Sequence, residues 1–296
     1  MYSLSSNQEM AGYRPSPRGT SVDYLGKVHI FALALALATL TNVSQPRIII
    51  LGYHEVEKDG LPPHAVIPRQ NASAPAADEM ARYTVSTETF RQQMDALDTH
   101  GYEVIALADV VDYLAGRRPS LPARSAVITI DDGWRSTGSE VAAELSKRHW
   151  PFTAFVYPRV IDRHFSHPYN LTWAEVAALA KKGVDIESHT YSHPFLARAR
   201  HLDLAGDDYA AFLADELRCS RGLIASATGQ PVRFLAYPYG NYDDDVIAAA
   251  KAAGYEAAVT VKPGVVTMRS NPLALERYLV QHDTAMRELE GWLEGR

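Results

Sequence analysis

From Pro46 onward, short β-branched apolar runs alternate with longer amphipathic stretches, and this alternation leaves few folds open. Residues 47–52 (RIIILG) and 126–130 (AVITI) are apolar almost without a break, so each reads as a strand covered on both faces. A strand with one wet face would alternate polar and apolar residues, so these runs point to a parallel sheet flanked by helices. Further strands are expected at 152–157, 184–187, 232–237, 255–261 and 277–280. Phe90, Met94 and Leu97 recur at helical spacing ahead of Gly101, which predicts a helix over 87–100. Thr172 and Glu175 have capping-box spacing and open a helix that runs to about Lys182. Helices at 138–149, 207–227 and 244–253 and one from Thr284 complete an α/β pattern of about seven strands, that of an irregular (β/α)7-type barrel.

A chain of 296 residues, 47% hydrophobic and 22% charged, suits one large domain, here 46–296, better than two small ones. The formal charge of −6 and the absence of a basic run argue against a nucleic-acid partner. The single cysteine, Cys219, excludes an intrachain disulfide and a cysteine-rich zinc site, so any metal must be held by histidine and carboxylate. Residues 1–45 carry Arg14, Arg18 and Lys27 ahead of the apolar run 30–40 (IFALALALATL), too short for a comfortable membrane span but suited to a signal-peptide core. No clean small-x-small cleavage site follows, so this segment reads as a signal peptide or an uncleaved membrane anchor, with a buried helix of the fold as the plain alternative. Export is the expectation: secreted, periplasmic, or anchored at the outer face of the membrane. Residues 57–82, rich in Pro and Ala, read as a long surface loop.

The polar clusters follow the strands. His54 comes after the first strand, Asp131-Asp132-Gly133 after the second, His189-Thr190-Tyr191-Ser192-His193-Pro194 after the strand at 184–187, and Pro238-Tyr239-Gly240 after 232–237. In parallel α/β folds the carboxyl ends of strands carry the chemistry, so these groups are expected to converge on one face. A turn at Gly133 lets both carboxylates reach a pocket, one to bind metal and its neighbour to accept a proton. Two histidines four residues apart, in a helical turn or a tight loop, can chelate one ion. Each motif alone is modest evidence, because helix caps and surface turns account for many such matches.

Together, Thr129-Ile130-Asp131-Asp132-Gly133 resembles the TFDDG motif, and His189 to Pro194 the HTxxHP motif, of the NodB-homology polysaccharide deacetylases, carbohydrate esterase family 4. The resemblance spans about residues 48–282. It implies an irregular barrel, an N-acetylated polysaccharide as substrate and a divalent metal, usually zinc, held by Asp132, His189 and His193, with Asp131 as general base. Phe234 to Gly240 (FLAYPYG) looks like the family's RxPYG motif, which puts the backbone N–H of Tyr239 at the oxyanion. Ala236 stands where the family's arginine would orient the base, so the orientation of Asp131 is left open. The Tyr-Pro-Tyr-Gly form and the early Tyr53-His54-Glu55 are similar to the branch acting on poly-β-1,6-N-acetylglucosamine, where an early histidine is the general acid. That role falls to His54, with His282 in Leu279-Val280-Gln281-His282 as rival.

Trp134, Tyr157, Tyr191 and Tyr239 can line a sugar site, while Trp173 reads as helix packing. Peptidoglycan, chitin oligomers and O-acetylated xylan are alternative substrates, since the motifs act on the acetyl group and do not name the polymer. An inactive carbohydrate-binding relative is the reading from a different class.

Overall fold

The computed structural model describes residues 45–60, 81–161 and 169–296, all within one compact unit, Gln45–Arg296. The apolar run at 30–40, most of the loop expected at 57–82 and residues 162–168 lie outside the described residues. No helix among the described residues is long and apolar enough to cross a membrane.

The main sheet is built from β1 (Arg47–Tyr53), β4 (Glu103–Val104), β5 (Arg124–Ile130), β6 (Thr153–Val156), β7 (Asp185–Ser188), β8 (Phe234–Ala236), β9 (Ala257–Val259) and β10 (Tyr278–Leu279). Every pairing is parallel, in the order β10-β1-β5-β6-β7-β8-β9. One edge of β5 is divided, with β4 taking it at Ser125 and Ala126 and β6 at Thr129 and Ile130. The sheet curls until Leu275, just ahead of β10, bridges Val259 of β9, and this gives the expected irregular (β/α)7-type barrel. A separate ribbon pairs β2 (Glu55–Glu57) with β3 (Thr84–Ser86).

Side chains alternate across each strand, and the two sets have different partners. Ile49, Leu51, Ile128, Ile130 and Ile186 pack against the outer helices: α1 (Thr87–Thr99), α3 (Ala142–Arg148), α4 (Trp173–Lys181), α5 (Gly206–Thr228) and α6 (Asp244–Ala252), with α7 (Met286–Glu294) near the chain end. Ile48, Ile50, Val127, Phe155, Phe234 and Val259 fill the inside of the curl, together with Leu107, Val110 and Val111 of α2 (Leu107–Leu114). The capping box at Thr172 and Glu175 is present. The helix expected at 138–149 instead opens with a π turn, Thr137–Val141, before α3 begins.

The curl is loosest between β7 and β8, which share one register pair, Ser188 with Leu235. There the Glu187 side chain replaces the missing ladder bonds, its Oε2 accepting the backbone N–H groups of Arg233 at 2.8 Å and Phe234 at 2.7 Å. Burial pushes this carboxyl up to about 9, so it is protonated at neutral pH.

Candidate active site

Asp131 continues the inward row of Val127 and Thr129 one step past β5, and it is 1% exposed. Asp132 and Gly133 then both take left-handed backbone, at φ 74° and 70°, so the chain turns sharply and the two neighbouring carboxylates share one region. A methyl group at Gly133 would crowd Val156 and Ile161, each 3.2 Å away, so the turn also needs a residue without a side chain. Trp134 Nε1 donates to Asp132 Oδ2 at 3.3 Å. The other oxygen, Oδ1, is buried without a hydrogen-bond partner and faces His189 Nε2 at 3.5 Å and His193 Nε2 at 3.4 Å.

His189 continues the inward row of Asp185 and Glu187 on β7. Its Nδ1 lies 2.8 Å from the Ala236 carbonyl, so Nδ1 carries the proton and Nε2 keeps its lone pair for the site. His193 arrives by a tight loop, not a helical turn, with Thr190 at φ 65° and His193 at φ 61°. Glu216 of α5 holds that loop, accepting from the N–H groups of Tyr191 at 3.0 Å and Ser192 at 2.8 Å and from the Ser192 hydroxyl at 2.6 Å. Burial pushes both imidazoles down to about 4, so both are neutral and able to act as ligands at neutral pH. Glu216→Ala is expected to weaken metal retention by about 10- to 100-fold. Competition against a chelator of known affinity measures this, and unchanged affinity would remove Glu216 from the account.

Of the five non-glycine residues with left-handed backbone among the described residues, Asp132, Thr190, His193 and Tyr239 lie here, and the fifth, His149, caps α3. Such conformations cost about 1–3 kcal/mol each and persist only where surrounding contacts enforce them. Among the described residues, Asp132, His189 and His193 are the one group able to hold a metal ion, with ligand atoms within 4.8 Å of one another. Bonds of about 2.0–2.1 Å at tetrahedral angles put neighbouring ligand atoms about 3.3–3.4 Å apart. The spacings of 3.4 and 3.5 Å therefore fit a divalent ion.

The question left open at Ala236 is answered by Arg277, just ahead of β10. Its guanidinium donates to both oxygens of Asp131 at 2.8 Å, to Thr129 Oγ1 at 3.2 Å and to the Thr260 carbonyl at 2.8 Å. Burial alone would raise the Asp131 carboxyl, but the Arg277 charge and hydrogen bonds, with His189 and His54 nearby, hold it well below the usual carboxylate range. The arginine has room because β1 carries Gly52 opposite it, where a Cβ would come within 3.0 Å of Arg277 Nε. Neither residue stands out in the sequence, where 277 only begins a strand and Gly52 only ends an apolar run.

His54 lies between β1 and β2, its ring 4.7 Å from Tyr83, with Nδ1 buried and unpartnered. It lies within electrostatic range of Asp131 and His193. His282 is exposed, and its Nδ1 faces the Thr84 carbonyl at 3.1 Å, tying the chain end to β3. The Tyr239 ring is 4.6 Å from His193 and that of Tyr157 is 5.1 Å from it, while Trp173 packs on the core. Glu55, which sequence reasoning left without a role, is buried near Asp132, accepts from Thr84 at 3.0 Å and is pushed up to about 8 by burial.

A parallel barrel with two neutral imidazoles and a carboxylate gathered at its strand ends has the layout of an α/β enzyme site able to hold a metal ion. Residues 118–258 match the family model described as polysaccharide deacetylase. The Bacillus subtilis (strain 168) protein YxkH is 27% identical over 200 residues, covering 66% of this chain and 65% of that protein, just under two thirds. The poly-beta-1,6-N-acetyl-D-glucosamine N-deacetylase of Staphylococcus epidermidis is 26% identical over 251 residues, 83% of this chain and 84% of that one. The structure of IcaB from Ammonifex degensii shares the fold, with a TM-score of 0.67 at 24% identity over 84% of this chain and 97% of that one. Over residues 118–258 the chain is similar to the polysaccharide deacetylases, hydrolases acting on carbon–nitrogen bonds.

Proposed function

We propose that this protein removes acetyl groups from N-acetylglucosamine units of a polysaccharide in a metal-dependent hydrolysis, with poly-β-1,6-linked N-acetylglucosamine as the favoured substrate class. The reading is carried by Asp132 Oδ1, 3.5 Å from His189 Nε2 and 3.4 Å from His193 Nε2, beside a buried, ionised Asp131. The β-1,6 linkage comes from the Staphylococcus epidermidis relative.

A divalent ion held by Asp132, His189 and His193, most simply zinc, would acidify a water and polarise the acetyl carbonyl. Asp131 takes the proton from the attacking water. Arg277 occupies one lone pair on each Asp131 oxygen and leaves the other for that transfer. The backbone N–H of Tyr239 donates to the developing oxyanion, and His54 gives a proton to the departing sugar amine. Acetate and a glucosamine unit result. An inactivated binding scaffold is disfavoured, because Arg277 supplies the cation absent at Ala236. Export, through the segment at 1–45 as signal peptide or anchor, would bring the site to its polymer.

Acetate release from β-1,6- and β-1,4-linked N-acetylglucosamine oligomers, with added zinc and with chelator, tests this directly. Release that chelator stops and zinc restores is the expected outcome, faster on the β-1,6 linkage. Release indifferent to chelator would overturn the metal assignment, and release faster on the β-1,4 oligomer would move the substrate to chitin-like polymers.

A further inference from the structure

Tyr239 is 54% exposed and has a left-handed backbone, φ 58° and ψ 12°, in a turn that carries the hydrogen bonds Gly240 N–H to the Tyr237 carbonyl and Asn241 N–H to the Pro238 carbonyl. The segment after His193 packs on this turn. Phe195 stacks on the Tyr239 ring with centroids 4.2 Å apart and planes at 20°. Tyr239 in turn meets His193 at 4.6 Å and 68°. The Arg200 guanidinium lies over Phe195 at 4.7 Å, which completes a pile of four side chains ending on a metal-site imidazole.

Two side-chain bonds stitch the same segments together. Asn241 Oδ1 accepts the Ala197 N–H at 2.7 Å, and Asp243 Oδ2 accepts the Arg198 N–H at 2.6 Å. Phe195 is 39% exposed, so core packing does not account for it.

We propose that Phe195 and Arg200 are positioning residues, which hold the Tyr239 turn in register with His193 so that the Tyr239 N–H is aimed at the oxyanion. The proposal rests on the deacetylase reading above. Neither residue touches the reacting atoms, and their effect passes through the direction of one backbone N–H. A misplacement of about 1 Å in such a group costs on the order of 100-fold in rate.

The test is steady-state acetate release by the zinc-loaded wild-type protein and by Phe195→Ala, Phe195→Tyr and Arg200→Ala, with bound zinc measured for each. Phe195→Ala is expected to lower kcat by about 10- to 100-fold at unchanged zinc content, with KM within about twofold. Phe195→Tyr keeps the stack and should recover most of the rate, and Arg200→Ala should lose a few-fold. Wild-type kcat in Phe195→Ala, a rise in KM alone, or no recovery in Phe195→Tyr would overturn the proposal and leave the deacetylase standing. If Phe195→Ala does not fold, full kcat in the surface variant Arg200→Ala overturns it instead. Absence of acetate release from the wild-type protein would sink the deacetylase reading and this proposal with it.

Discussion

Arg277→Met is expected to destabilise the fold by about 3–5 kcal/mol, because it removes one partner of a buried ion pair and strands the other. The side chains of Arg277 and Asp131 are 1% and 2% exposed, and the guanidinium makes four hydrogen bonds. Without it, only the nearby imidazoles oppose the effect of burial on Asp131, so the carboxyl shifts toward its neutral form and, on the proposed mechanism, the variant should lose activity as well as stability. The pH dependence gives a second reading. A carboxyl whose folded pKa lies below its unfolded value of about 3.9 contributes stability above that pH and loses it as the pH falls. The wild type should therefore show this acid-side loss, and Arg277→Met should lack its Asp131 part. Urea denaturation between pH 3 and 7 measures both, and a variant within about 1 kcal/mol of wild type would refute the pair's importance.

Asp131→Asn should retain the metal, whose ligand atoms belong to other residues, and lose about 100- to 10,000-fold in kcat. It should also be less stable than wild type, since the amide leaves the buried Arg277 charge without its counterion. Stability and catalysis can be separated by a double variant, Asp131→Asn with Arg277→Met, in which neither charge is stranded. It is expected to recover much of the folding free energy and none of the activity, so the two effects part in a double-mutant cycle. Bound zinc, denaturation midpoints and acetate release decide the matter. An Asp131→Asn protein that kept most of its rate would show that another group is the base.

The long strands and helices of the barrel were legible because burial on both faces leaves unbroken apolar runs and because amphipathic helices repeat on a period. β2, β3 and β4, of three residues or fewer, carry no period to read, and their place is set by what they pair with. The helix α2, eight residues long, is too short to show a clear period, though it fills the inside of the curl. Asp132, His189 and His193 could be grouped from motif spacing, since each motif lies within a few residues of a strand end. Arg277 could not, because its partner is 146 residues away and the sequence around it is an ordinary strand start. Glu216 was hidden for a similar reason, as one acid among several on a 23-residue helix whose register against the His193 loop is a tertiary fact.

The barrel closes by laying β10 against β1, so its first and last strands are neighbours and the arginine comes from the closing seam. During synthesis the aspartate leaves the ribosome long before its counterion exists. Any shorter chain ending before residue 277 would have to bury Asp131 uncharged or leave the pocket open to water. Pairing of Asp131 thus waits on synthesis of the last strand, and a product truncated before it would keep the Asp131–Gly133, His189–Pro194 and Phe234–Gly240 motifs while lacking the cation that pairs with the aspartate.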